Sequence, residues 1–89
     1  MIKVIWKYPL AATGQQQIEM PWGARILCVQ TQGDCACLWA MVSPDDSKRK
    51  KTIVVLPTGM DFEEVPMNYI DTFQVQGGAL VFHVFEVLT

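Results

Sequence analysis

Charge is scarce in this 89-residue chain. Asp, Glu, Lys and Arg make up 18% of it, against roughly a quarter in an ordinary globular domain. The net charge is −2, so there is no bulk positive field to draw in a nucleic acid. The single histidine, His83, has no obvious sequence-local carboxylate or nucleophile partner, and no catalytic set emerges around it. The three cysteines, Cys28, Cys35 and Cys37, are too few and odd in number for a disulfide framework, which argues for a reducing compartment. No apolar run reaches the ~20 residues of a membrane-crossing helix. The opening residues, Met1 to Trp6, do not read as a signal peptide, so the expectation is a cytoplasmic protein with no membrane association. Repeats, linkers and low-complexity tracts are missing too, which leaves one domain over residues 1–89.

Hydrophobic residues supply 51% of the chain, which excludes disorder. A chain this short buries only roughly 60–65% of its unfolded surface. Some apolar surface should therefore be left over for an oligomer or partner interface. Short β-type runs separated by turn residues dominate. Ile2 to Tyr8 alternates apolar residues with Lys3 and Lys7, as a half-buried edge strand does. Gln16 to Met20 turns Ile18 and Met20 inward, and Pro21-Trp22-Gly23 is a turn. Ala24 to Gln32 and Cys35 to Val42 flank Gly33-Asp34, which suits a type II′ hairpin. That turn sets Val29 against Leu38, Cys28 against Trp39 and Leu27 against Ala40. Both faces of this hairpin are apolar, the mark of central, covered strands.

Ser43 to Lys51 reads as a polar loop and Lys51 to Pro57 as a strand. Asp61 and Glu64 have capping-box spacing, and Pro66 restricts any helix there to a single turn. Tyr69 to Gln76 and Ala79 to Leu88 flank Gly77-Gly78, a second hairpin. Counting out from its turn pairs Val75 with Leu80, Phe73 with Phe82 and Asp71 with Val84 on a core face. It pairs Gln74 with Val81, Thr72 with His83 and Ile70 with Phe85 on a mixed face. The expected fold is all-β: a small single-domain antiparallel β-sandwich or partly open barrel of about seven short strands, with at most one short helical turn.

Several residues invite a chemical reading. Cys28, Cys35 and Cys37 share strand parity and, with His83, have the composition of a Cys₃His zinc site. A C-x-C in a strand splays its thiolates about 6–7 Å apart, however, and buried cysteine is ordinary core, so no metal is assigned. Thr72 can satisfy His83 structurally across the ladder. Lys48, Arg49, Lys50 and Lys51 could contact phosphate or nucleic acid, but Asp45 and Asp46 offset their field and a solvated loop tip explains them. The cluster Asp61, Glu63 and Glu64 is accounted for by helix-start chemistry. Trp22, between a proline and a glycine, is either an exposed binding anchor or a lid on the core.

The segments Lys7-Tyr8-Pro9-Leu10, Pro21-Trp22-Gly23-Ala24, Ile26-Leu27-Cys28-Val29-Gln30, Leu38-Trp39-Ala40, Thr58-Gly59, Tyr69-Ile70-Asp71-Thr72 and Gly77-Gly78-Ala79-Leu80-Val81-Phe82-His83-Val84-Phe85 carry a resemblance. Together they resemble a family of small uncharacterised proteins of tailed bacteriophages and prophages. The double glycine followed by an aromatic-His-aromatic strand is its most specific part. No activity, cofactor or catalytic residue comes with the resemblance. It implies a phage-encoded accessory protein in the host cell cytoplasm, of the kind that includes counter-defence inhibitors such as anti-CRISPR proteins. The resulting expectation is a non-enzymatic protein that binds a host protein of a defence system. It is expected to form a homodimer or to display an apolar patch that includes Trp22, Val81, His83 and Phe85. The alternatives are a small virion structural or assembly component, or a sponge for a nucleotide signal.

Overall fold

In the first strand, β1 (Val4–Pro9), exposed Ile5, Lys7 and Pro9 alternate with half-buried Val4, Trp6 and Tyr8, the period of a strand with one face on a core. A computed structural model describes residues 1–88. Six further strands complete the chain: β2 (Gly14–Pro21), β3 (Arg25–Gln32), β4 (Cys35–Val42), β5 (Lys48–Pro57), β6 (Met67–Val75) and β7 (Leu80–Val87). They form two antiparallel sheets, one ordered β1-β4-β3 and the other β2-β5-β7-β6, and neither closes into a barrel. The inner faces of both sheets share one core. Leu38, Ala40 and Val42 of β4 are fully buried, as are Met20 of β2, Ile53 and Val55 of β5, and Val84 of β7. Burying each larger aliphatic side chain contributes about 1.5–3 kcal/mol.

Turn chemistry sets the local registers. Gly33 has φ of +61° while Asp34 stays at negative φ, as a type II′ turn requires. The predicted pairs Val29–Leu38 and Cys28–Trp39 form. A bulge then intervenes, so Ile26 and not Leu27 faces Ala40, and Leu27 is left 44% exposed. In the last hairpin the pairs from Val75–Leu80 to Asp71–Val84 also form. There the bulge falls at Ile70, and Tyr69 takes its place beside Phe85.

Other expectations are corrected. Lys48 to Lys51 is not a loop but the first half of β5, paired with β2 from Pro21–Lys48 to Ile18–Lys51. Residues Asp61 to Glu64 form no helical turn; the one 3₁₀ turn among the described residues is Gln76–Gly78, inside the second hairpin. Of the first hairpin only β4 is central, and β3 is an edge. Leu80, expected in the core, is 43% exposed.

The two sheets meet where edge strands β3 and β6 run side by side without backbone pairing. Two aspartates bridge that seam. Val29 N–H donates to Asp71 Oδ2 at 3.0 Å, and Gln76 N–H donates to Asp34 Oδ1 at 3.3 Å. Both bonds join residues 42 positions apart, so the two edges run parallel in register.

Candidate partner-binding face

Strand alternation turns Val54 and Leu56 of β5, Val81, His83, Phe85 and Val87 of β7, and Thr72 and Tyr69 of β6 to the outer side of the four-stranded sheet. Tyr69 reaches this side because the Ile70 bulge shifts the alternation by one. Its ring meets Phe85 edge-on, with centroids 5.6 Å apart, yet it remains 59% exposed. The segment 58–66, whose proline and glycine hold it out of regular structure, carries exposed Phe62 and Val65 onto the same side. These two residues and Val54, Leu56 and Val87 line a cleft of about 260 Å³.

His83 is fixed in the middle of this face. Its Nδ1 is 3.0 Å from Thr72 Oγ1, and its Nε2 is 2.7 Å from Thr58 Oγ1. Tyr69 Oη lies 2.7 Å from Thr72 Oγ1, and Thr58 Oγ1 also donates to the Val81 carbonyl at 3.2 Å. One proton arrangement satisfies every group: Tyr69 donates to Thr72, Thr72 to Nδ1, Nε2–H to Thr58, and Thr58 to Val81. The partner of Nδ1 is a hydroxyl, so the carboxylate that orients histidine in Ser-His-Asp sets is replaced by a neutral group. Asp71, next to Thr72 in the chain, spends its oxygens on the Val29 and Thr72 backbone N–H groups. The network ties an imidazole and a phenol together through Thr72 in a largely apolar surface.

The residues singled out from sequence separate into groups. Val81, His83 and Phe85 lie together on β7. Trp22 stands apart at the turn between β2 and β3, 53% exposed, so it does not act as a lid on the core. Its neighbour Pro21 pairs with Lys48, six residues along β5 from the partner of Phe85, or about 20 Å. The Arg49 guanidinium sits 4.4 Å over the Trp22 ring. Lys51 pairs with Glu86 at 3.1 Å. Strand alternation sends Lys48 and Lys50 to the opposite side from Arg49 and Lys51, so the four cations do not converge on one phosphate.

Cys28, Cys35 and Cys37 share the outer side of the three-stranded sheet, as their parity predicted, while His83 belongs to the other sheet. Among the described residues no group of three or more His, Cys, Asp or Glu could hold a metal. Burial pushes the Cys37 thiol above its ordinary range, its hydrogen bond to Cys35 and the charge of Cys35 add to that, and Lys7 opposes it. Sequence reasoning missed Tyr69, Thr58, Phe62 and Val65 as members of the face. Thr58 reaches His83 only through the non-local pairing of β5 with β7, and no local pattern signals that.

The whole of residues 1–89 matches the family described as Domain of unknown function (DUF7352), and the chain belongs to that family. No curated protein and no solved structure matches it.

Proposed function

For this member of a family without an assigned activity, we propose a non-enzymatic interaction protein that docks the outer face of its four-stranded sheet onto a protein partner. The observation that carries the reading is Tyr69, left 59% exposed beside Phe85 and anchored through Thr72 to His83. Exposed aromatics held in place are favoured binding anchors, because little freedom is lost when they are covered. The resemblance to phage and prophage proteins makes the partner a host protein of a defence system, and the chain a counter-defence inhibitor of the anti-CRISPR kind acting in the host cytoplasm. Without that partner the same face pairs with a second copy.

One observation favours a virion assembly component as the second reading: the outer side of the three-stranded sheet is also partly apolar, with exposed Ile5 and Leu27 near half-buried Trp39 and Met41. The test is expression of the protein alone in hosts carrying defined defence systems. Restored plaquing that Phe85→Asp abolishes, with an unchanged melt, supports the inhibitor. Incorporation into purified particles, with no effect on plaquing, favours the second reading.

A further inference from the structure

We propose that the open end of the sandwich is a binding site for a small amphipathic amine, a ligand with an apolar body and one N–H or ammonium group. The site is a cleft of about 410 Å³ between the tips of the β3–β4 and β6–β7 hairpins. Small-molecule sites span roughly 300–1,000 Å³, which puts this one at the small end. Phe73 and Phe82, stacked 5.3 Å apart at 23°, line it together with buried Leu10. Leu80 stands over it, 43% exposed, on a strand whose other inner-face residues are better covered. An aliphatic side chain left at the mouth of an apolar cleft gains cover when an apolar molecule enters.

The polar lining has one sign. Asp34 and Cys35 sit at the rim, and no lysine or arginine lines the cleft. Asp34 Oδ1 accepts the Gln76 N–H, which fixes the carboxylate, while Oδ2 has no partner among the described residues. A fixed carboxylate with a spare oxygen beside an apolar wall selects a donor or a cation and disfavours an anion. This cleft lies between the sheets, on the inner side of β7, and is independent of the outer face that carries the proposed function.

The experiment uses a matched pair of fluorescent probes, N-phenyl-1-naphthylamine and its sulfonate, 8-anilinonaphthalene-1-sulfonate. The amine should bind saturably at one site per chain with blue-shifted emission, and the sulfonate several-fold more weakly. Asp34→Asn should narrow that gap. Ala12→Trp, at an exposed position lining the cleft, should abolish binding without moving the melt. Phe85→Asp, on the outer face, should leave binding intact, which separates this site from the docking face. Equal affinity for the two probes overturns the selection against an anion. Undiminished binding to Ala12→Trp, or loss of binding in Phe85→Asp, overturns the site.

Discussion

At the scale of single residues, Tyr8 carries a cost. Its side chain points to the core side of β1, and its buried hydroxyl is the one buried side-chain polar atom without a hydrogen-bond partner among the described residues. Burial raises the pKa of this phenol. The fold therefore favours the neutral form, and the stability this contributes is present below the ordinary phenol range and lost as pH rises through the raised value. An unsatisfied buried hydroxyl costs about 1–3 kcal/mol. Tyr8→Phe is expected to leave stability unchanged or raise it by up to about 1 kcal/mol in urea melts; a clear loss would mean that the hydroxyl has a partner. The thiols make a second test. Cys35 is exposed, while Cys37 is buried with its pKa raised. Thiolate is the reactive form, so an alkylating agent near neutral pH should modify Cys35 first and Cys37 last, read by mass spectrometry. As pH climbs above the ordinary thiol range, the contribution of neutral Cys37 to stability is lost.

Strands and turns carry the next level of argument. The β3 and β6 edges would present open backbone groups to each other, and Asp71 closes that gap by accepting from Val29 N–H. Hydrogen bonds to charged groups contribute about 1.5–3 kcal/mol, so Asp71→Ala should cost that much and speed amide exchange at Val29. A melt equal to the parent's would show that the seam holds through packing alone. Asp71 also shows what was legible in the sequence. Its pairing with Val84 comes from counting outward from Gly77-Gly78, because a tight turn fixes register for several residues. Its bond across the seam does not, since β3 and β6 meet only in the tertiary structure. The bulges at Leu27 and Ile70 were equally hidden, as an extra residue leaves the apolar pattern almost unchanged when its neighbours are apolar too. The run Lys48 to Lys51 looked like a loop because lysine and arginine carry no strand signal of their own. It becomes a strand because β2 supplies the ladder, Trp22 stacks on Arg49 and Glu86 pairs with Lys51.

Considered as a whole molecule, the chain has an apolar residue set on each of its two outer sides, and the two sides differ in charge. Strands β1, β3 and β4 contain no acidic residue. On their outer side Lys7 bonds Gln32 at 2.8 Å and lies 5.9 Å over the Trp39 ring. Its alkyl stem already covers part of that surface, and burying the side in an interface would strip water from the ammonium. The centre of the other outer side holds Val81, His83, Phe85 and Tyr69, whose side-chain polar atoms are paired with the hydroxyls of Thr58 and Thr72. Covering it desolvates no lysine, arginine or carboxylate at its centre. Assembly is therefore expected through the four-stranded sheet, as a two-fold pair in which the same patch meets itself. Multi-angle light scattering should give twice the chain mass at micromolar concentration. Val81→Asp should return it to the monomer, because facing carboxylates near the two-fold axis repel each other and lose water. Ile5→Asp, on the three-stranded side, should leave the dimer intact, and both variants should melt within about 0.5 kcal/mol of the parent, as surface substitutions usually do. A parent that is monomeric at high concentration would reduce the face to a site for a foreign partner. A dimer broken by Ile5→Asp and untouched by Val81→Asp would place the interface on the opposite sheet and remove the argument from charge.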